Sequence, residues 1–364
     1  MNRKRRNNKN MNNPAVGIDI GEEKSTSTYL SPEGDVRDNF EFDMNGDGYI
    51  EFASKIPRET RIAFEASGLA YVVDRTLREL GYKDITVAHP KELSWIVKSK
   101  KKNDRVDSLK LAKLHLVSML PESHLLSEED RIFKDLLIQR VKLSSEISST
   151  KNVIIGYLKR EGLYSSLPES NDSFSEKRRT AIRNIRFNNQ KDLVLRTMMD
   201  RLEFLEGQRD SLDMEIRKIA RDNEDVKLLM TIPGIDYYLA SLLSSYIGDV
   251  NRFPNADRLA SFFGVIPETR DSSTIKRRGH MSKEGAATAR WALSIAVDTV
   301  TLRNKSLKEY YNSVKNRKGS GKYAHIPTMR KLIRMIYTML KERKEWKYEN
   351  TALTESKLSR LDDD

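Results

Sequence analysis

The chain of 364 residues contains no cysteine and only five histidines. The missing thiols exclude disulfides, thiolate zinc sites, iron–sulfur clusters and cysteine nucleophiles, and so few histidines disfavour a histidine-rich metal site. No apolar run approaches the ~18 residues of a membrane span. The basic opening MNRKRRNNKN has no apolar core behind it. We therefore expect no secretory signal and a cytoplasmic protein.

Basic residues outnumber acidic residues in this chain. The 65 Lys and Arg residues against 53 Asp and Glu residues give a net charge of +12 and a pI of about 9.5. A surplus of this size favours polyanions such as DNA, RNA or anionic membrane. We expect the positive charge to be enriched around residues 98–102, 175–183 and 276–278. Binding there should weaken steeply with salt because displaced counterions are part of the driving force.

The pattern of residues 15–125 is that of an α/β domain. The segments predicted as strands are 15–21, 26–31, 36–42, 61–67 and 84–90. Helical spacing predicts helices over 68–80 and 108–120, and Asp47 is expected to cap a short helix. Three early strands followed by alternating helix and strand indicate a mixed sheet of roughly five strands. The segment that begins at Asp43 resembles an EF-hand calcium loop. Such a loop needs Glu at its twelfth position, which is Ser54 here, so we predict a turn instead.

The spacing of apolar residues in the rest of the chain predicts mainly helices. Apolar residues at heptad spacing predict an antiparallel helical hairpin or coiled coil over 126–222, which serves either as a spacer or as an arm for dimerisation or nucleic-acid clamping. The predicted seam consists of Leu195, Met198, Leu202, Leu205, Leu212, Ile216 and Ile219, facing Leu136, Leu143, Ile147 and Ile154. We expect a mainly helical domain over 223–345, with a basic disordered arm at 1–14 and a polar, mobile tail at 346–364.

Four carboxylates are candidates for chemistry. Asp19 lies within the first predicted strand, Glu65 ends another, and Asp104 and Asp107 are three residues apart, so that on a helix they share one face. A charged group in a buried strand is costly unless it is paired or binds a cation. Oxygen ligands from two strands and a helix suit Mg²⁺ (or Mn²⁺), which can polarise a phosphodiester.

Two segments of the C-terminal half carry further hypotheses. TIPGI (231–235) followed by a helical run resembles a helix–hairpin–helix, whose free amides can point at a phosphate, although the same pattern serves as a plain turn. RDSSTIKRRGHMSKEG (270–285) places two serines before a basic block, where cations could stabilise charge developing on phosphate. From the residues alone, a serine-rich linker beside a phosphate-binding patch is favoured there.

Several blocks together resemble one family. GIDIG with Asp19, FEASG with Glu65 and KNDRVDSLKLA with Asp104 and Asp107 resemble the acidic tetrad of the DEDD transposases of the insertion-sequence family one-ten. TIPGI, IGDVNRF, FFGVIPET and RRGHMSKEG are similar to the C-terminal domain of that family, and the likeness runs in order over about 15–342.

The resemblance implies a RuvC-like catalytic domain of the RNase H-like class at 15–125, a coiled-coil arm and a C-terminal transposase domain with a serine loop. It implies an RNA-guided recombinase, nucleoid-associated, that uses a structured bridge RNA and assembles through dimers into a tetramer on donor and target DNA. The family serine stands seven residues before a Gly, which gives Ser272 when counted from Gly279. Ser273 stands where many relatives have Gly, so the choice between the two hydroxyls is open.

The predicted site follows from these arguments. The catalytic set comprises the metal ligands Asp19, Glu65, Asp104 and Asp107 together with Ser272. A junction-type metal-dependent endonuclease that uses water is the alternative, and a GIDIG-type sugar kinase is disfavoured because no downstream phosphate or adenosine motif follows. The predicted nucleic-acid contacts are Lys100, Lys101, Lys102, Arg105, Lys276, Arg277, Arg278 and Lys283.

Overall fold

The computed structural model divides between Leu125 and Leu126 into two units, and each is described by itself. The structure describes residues 13–90, 92–93, 103–187, 189–272, 275–281, 285–346 and 350–362, with the backbone alone over 267–281. In these ranges no helix is long and apolar enough to cross a membrane.

The first unit is built on a five-stranded mixed sheet, which confirms the predicted fold class of this part. The strands are β1 (Ala15–Asp19), β2 (Lys24–Leu30), β3 (Val36–Asp43), β4 (Arg61–Glu65) and β5 (Ile85–Ala88). They lie in the order β3-β2-β1-β4-β5. The first three pair antiparallel because short turns join them, and β1, β4 and β5 pair parallel because helical crossovers separate them.

The helices of this unit whose full bounds lie within the described ranges are α1 (Gly46–Lys55), α2 (Ala70–Glu79) and α3 (Asp104–Leu116). Strand residues that alternate along β1 and β4, such as Ile18 and Phe64, pack with α1 and α2 into an aromatic-rich core. The predicted cap of α1 is wrong. The Asn45 side chain accepts from the Gly48 amide and caps the helix, whereas Asp47 lies in the first turn.

Two long helices dominate the beginning of the second unit. The helices α4 (Glu128–Arg160) and α6 (Lys191–Asp222) lie side by side, with α5 (Glu176–Asn184) between them in sequence. Arg140 near the start of α4 donates to both carboxylate oxygens of Asp213 near the end of α6, at 2.9 and 3.2 Å. Lys191 at the start of α6 donates to Glu161 at 2.6 Å, so the pair is antiparallel.

Most of the predicted apolar seam is filled from within the chain. Leu195, Leu202 and Leu205 of α6 are buried in one cluster with Leu143 and Ile154 of α4. The hairpin therefore needs no second chain to cover these positions. Supercoiling of the pair stays a prediction.

The remaining elements are a mainly helical body and a hairpin of two strands. The helices are α7 (Glu224–Met230), α8 (Tyr237–Ile247), α9 (Ala256–Phe262), α10 (Ala287–Arg303), α11 (Lys305–Lys318), α12 (Gly321–Glu342) and α13 (Thr351–Ser359), and the strands are β6 (Pro267–Ser272) and β7 (Ile275–Met281). One apolar core joins most of these helices to the base of the α4–α6 hairpin.

The polar tail contains a helix that packs onto this core. Leu361, just after α13, is buried in the core, and Arg221 donates to its carbonyl oxygen. Lys357 of α13 is also buried, and its ammonium donates to the carbonyl oxygens of Met230, Ile232 and Ile235. Composition gave no sign of this packing, because one buried lysine and two leucines, Leu358 and Leu361, anchor the helix rather than a long apolar stripe.

Candidate active site

Two of the predicted carboxylates end neighbouring parallel strands. Ile18 of β1 is in register with Phe64 of β4, so Asp19 and Glu65, one residue further along, stand side by side at the carboxyl ends of these strands. Side chains alternate along a strand, and Ile18 and Phe64 face the aromatic core. Asp19 and Glu65 therefore face the opposite side of the sheet.

The helix α3 covers that opposite side and brings the other two carboxylates to the same end. Its backbone passes so close to Gly17 that a Cβ there would lie 2.0 Å from the Ser108 carbonyl oxygen. At the far end of the strands, Arg61 donates to the carbonyl oxygen of Leu116. The helix thus runs against β1 and β4, and its first turn, with Asp104 and Asp107, lies toward the strand ends that carry Asp19 and Glu65.

Local electrostatics stabilise negative charge at the start of α3. The Asn103 side chain caps the helix by accepting from the Arg105 amide at 3.0 Å. Asp104 and Asp107 occupy the first turn, where unpaired amides and the helix dipole favour carboxylates. Lys110 donates to Asp107 at 2.6 Å, which balances one of these charges.

The four carboxylates lie at one end of the sheet, but they are not close enough together to hold one metal ion. Within the described ranges, no three His, Asp or Glu side chains lie close enough together to hold a metal ion. Asp19 and Asp107 are partly exposed, and Glu65 and Asp104 are exposed. All four therefore have access to solvent, as a site that receives a phosphodiester requires.

A buried polar network fixes the acidic helix to the sheet. Ser108 of α3 donates to the Arg105 carbonyl oxygen at 3.2 Å and lies 2.7 Å from the Thr28 hydroxyl of β2. Asn39 of β3 donates its amide to Thr28 Oγ1 at 2.6 Å. Either hydroxyl of the Thr28–Ser108 pair can be the donor. The sequence analysis missed this network because it depends on strand pairing and helix packing.

Ser272 lies at the end of a strand and not in a loop, which corrects the prediction. It is the last residue of β6 and pairs with Ile275 of β7 in an antiparallel hairpin. The backbone of β7 carries Lys276, Arg277 and Arg278. Alternating serine, basic and β-branched residues are compatible with strands, and the prediction gave their polarity too much weight. Ser273, Lys283 and Lys100–Lys102 lie outside the described residues.

The predicted nucleic-acid contacts that lie on described helices differ in exposure and in ion pairing. Arg105 is exposed on α3. In the 175–183 segment, Arg179 forms an ion pair with Glu206 at 2.7 Å and Arg183 forms one with Glu203. These two cations are already neutralised within the chain, which lowers their value for binding phosphate.

The turn at TIPGI supports the plain inter-helix reading. Ile232 and Ile235 are fully buried, and their amides donate to the carbonyl oxygens of Leu229 and Ile232. Gly234 has φ of +101°, and a Cβ there would lie 2.6 Å from the Thr299 carbonyl oxygen. A glycine is needed for this left-handed conformation and close packing, not for access to a phosphate.

The sequence analysis also missed a long basic region of the second unit. The helices α11 and α12 and the two residues after them, 305–344, contain twelve Lys or Arg residues and two Glu. The cations are spread at intervals of several residues, so no short basic run signals them. Counting charge over whole helices would have found them.

Comparisons with known proteins agree with the geometry. The family model described as "Transposase IS116/IS110/IS902 family" matches residues 226–312. A DEDD transposase model for IS110 elements matches residues 16–161, which include all four carboxylates.

Individual relatives match over shorter stretches. The chain is 24% identical over 151 residues to the insertion element IS110 uncharacterized 43.6 kDa protein of Streptomyces coelicolor, covering 42% of this chain and 37% of the relative. It is 30% identical over 71 residues to the transposase for insertion sequence element IS1111A of Coxiella burnetii, covering 20% of each. The aligned part thus spans well under half of these relatives. The two family models together cover well over half of the chain, and the chain belongs to the IS110/IS116 family of DEDD transposases.

Proposed function

We propose that this chain cuts and rejoins DNA at the ends of an insertion sequence, with an RNase H-like, RuvC-like first unit as its catalytic domain. One observation carries the proposal. Asp19 and Glu65 end adjacent parallel strands, and the first turn of α3 brings Asp104 and Asp107 to the same end. A DEDD transposase is named for such a set of acidic groups, and the model of that type matches this segment.

The chemistry of the four groups fits a divalent cation. Carboxylate oxygens are hard ligands, and Asp19, Glu65, Asp104 and Asp107 would hold Mg²⁺ or Mn²⁺. The bound ion would stabilise negative charge on the phosphodiester oxygens during cleavage. The network through Thr28 and Ser108 would keep the acidic turn of α3 at its place beside the strand ends.

We propose Ser272 as the nucleophile of the second unit. Its hydroxyl oxygen would bond to phosphorus as the bond from phosphorus to a deoxyribose oxygen breaks. The serine proton must leave during attack, and the departing oxygen must take one up. The product is a phosphoserine link that a strand end can later attack in reverse. Catalysis by both units requires that they meet, within one chain or between two, on the way to a junction intermediate.

Guidance and assembly complete the proposal. The surplus charge of +12 suits a protein that holds a bridge RNA as well as donor and target DNA. We propose dimers that assemble into a tetramer, with the α4–α6 hairpin as the arm. Leu205 already packs within the chain, so a test of dimerisation should change exposed apolar residues such as Phe204, which is 64% exposed.

A covalent adduct tests the serine mechanism most directly. DNA carrying an element end is incubated with the full chain, bridge RNA and Mg²⁺, then denatured and separated by electrophoresis. We expect wild type and Ser273→Ala to form a protein–DNA adduct and Ser272→Ala to form none. Loss of the adduct in Ser273→Ala alone would move the nucleophile by one residue. Cleavage without any adduct would support the alternative, an endonuclease that uses water.

A further inference from the structure

The positive charge of the second unit is concentrated on one helical hairpin. Residues 305–344, mainly α11 and α12, carry twelve of the 65 Lys and Arg residues but only two of the 53 Asp and Glu residues. Most of these cations are exposed, among them Lys308, Lys315, Arg317 and Lys322. This hairpin therefore carries a local surplus close to that of the whole chain, and it favours a polyanion at its surface.

The same hairpin borders a deep cavity. It has a volume of about 1000 Å³, and its walls come from α11, α12 and the segment that follows α12. The walls mix the apolar side chains of Pro327, Met335 and Met339 with cations of α12 and with the carboxylates of Glu342 and Glu345. The lining aromatic residues are Tyr310 and Trp346. A space of this size exceeds what a single nucleobase needs.

The cations at the cavity differ in how far they are neutralised. Arg334 is paired with Asp257 at 2.8 Å, and Lys344 with Glu342 at 2.9 Å. Lys331 lies 4.2 Å from the centre of the Tyr310 ring. In the described part of the chain, neither Arg330 nor Lys331 has a carboxylate at ion-pair distance. These two side chains remain able to pair with an incoming phosphate.

Trp346 adds a second, independent observation. Its side chain lines the cavity yet is only 5% exposed. Its backbone amide donates to Thr231 Oγ1 at 3.0 Å, which fixes its position. Its indole N–H is buried and has no hydrogen-bond acceptor among the described residues. The Trp346 ring is therefore a fixed part of the cavity wall.

We propose that this cavity binds the base of an unpaired nucleotide, while Arg330 and Lys331 hold the adjoining phosphates. Aromatic rings such as that of Tyr310 offer a stacking surface for any base. A base inside a duplex cannot enter because its faces are stacked and its edge is paired. The ligand is therefore a single-stranded segment of DNA or RNA, bound to a site separate from the acidic residues.

This binding is independent of the proposed catalysis. It needs neither a divalent ion nor Ser272, so it is measured with EDTA present and in a Ser272→Ala background. Failure of the proposed recombination would leave it untouched, and its own failure would leave the acidic site in place.

The experiment compares oligonucleotides of about ten nucleotides with fully abasic ones of the same length, because any remaining base could enter the cavity. Fluorescence anisotropy of labelled single-stranded DNA, single-stranded RNA and duplex DNA is recorded with the full chain. We expect Tyr310→Ala to weaken single-strand binding about ten-fold and duplex binding little, because base stacking is lost. Tyr323→Ala, a change of an exposed tyrosine on α12 that does not line the cavity, is the matched control and should bind like wild type.

A second pair of variants keeps the test decisive if Tyr310→Ala fails to fold. Arg330→Gln should weaken single-strand binding more than Lys322→Gln, which removes the same charge away from the cavity. A stronger effect with RNA or with DNA identifies which strand supplies the nucleotide. The proposal is overturned if the abasic oligonucleotides bind as tightly as the intact ones, or if each cavity variant behaves like its control.

Discussion

The two units place their charged groups in opposite ways. In the first unit, Asp19 and Glu65 are held by paired strands and Asp104 by a helix that touches the sheet backbone, so acidic groups from distant segments share one end of a sheet. In the second unit, the cations lie along exposed faces of α11 and α12, close together in sequence. The first arrangement fixes a few acidic groups at one place, and the second spreads positive charge along a surface.

The largest change in stability should come from the contact that positions the acidic helix. Gly17→Val would place a side chain where the Ser108 carbonyl oxygen and the Ala112 amide already lie. We expect a loss of more than about 4 kcal/mol or a failure to fold, since backbone must move. Gly46→Ala is the control, because nothing lies within 4 Å of its Cβ. Urea unfolding measures both, and equal stability of the two variants would contradict the packing described.

A buried lysine makes the corresponding contact in the second unit. Lys357→Met removes the ammonium that donates to the carbonyl oxygens of Met230, Ile232 and Ile235. We expect a loss of about 3 kcal/mol because these acceptors lose a charged donor. Thermal unfolding is compared with that of Glu355→Ala, an exposed change on the same helix. If the two variants have the same melting temperature, the Lys357 contacts do not anchor α13 to residues 230–235.

The first unit should also respond to acid through one buried histidine. Burial and then the nearby Arg61 charge lower the pKa of His115 to about 4, from 6.5 for a free side chain. Between these values the unfolded chain binds more protons, so stability falls as the pH drops from about 6.5 to about 4, by roughly 3 kcal/mol.

Urea unfolding at about pH 7 and about pH 4.5 in wild type and His115→Leu isolates this contribution. The loss of stability in acid should be smaller in the variant, because leucine takes up no proton. Equal losses in the two proteins would show that His115 is not responsible.

The polar network should give the smallest effect on stability and a clear one on activity. Thr28→Val leaves Ser108 and Asn39 without their partner and should cost about 1–3 kcal/mol. DNA cleavage should fall further than stability alone explains, because the acidic turn of α3 is less firmly placed. Thr60→Val is the control, since the Thr60 hydroxyl is buried without a partner among the described residues. Unchanged cleavage by folded Thr28→Val would remove the network from the site.

Sequence alone could predict the elements better than their contacts. The five strands were predicted close to their observed bounds because each is a short apolar run between turn residues. The anchoring of α13 depends on neighbours distant in sequence, and the cap of α1 depends on competition between adjacent polar residues. The strand that ends at Ser272 was missed because its polar residues favoured a loop. The four carboxylates could be predicted as a set, but the close approach at Gly17 that gathers them required three dimensions.

The most direct test of the central claim is metal binding by the acidic residues. Mn²⁺ is titrated into the full chain and free Mn²⁺ is followed by electron paramagnetic resonance, with recombination and RNA binding measured on the same samples. We expect wild type and Glu41→Gln, an exposed carboxylate change on β3, to bind the ion and recombine. Asp19→Asn and Glu65→Gln should lose both and keep RNA binding. Undiminished Mn²⁺ binding and recombination in both variants would contradict the assignment of these residues to one metal site.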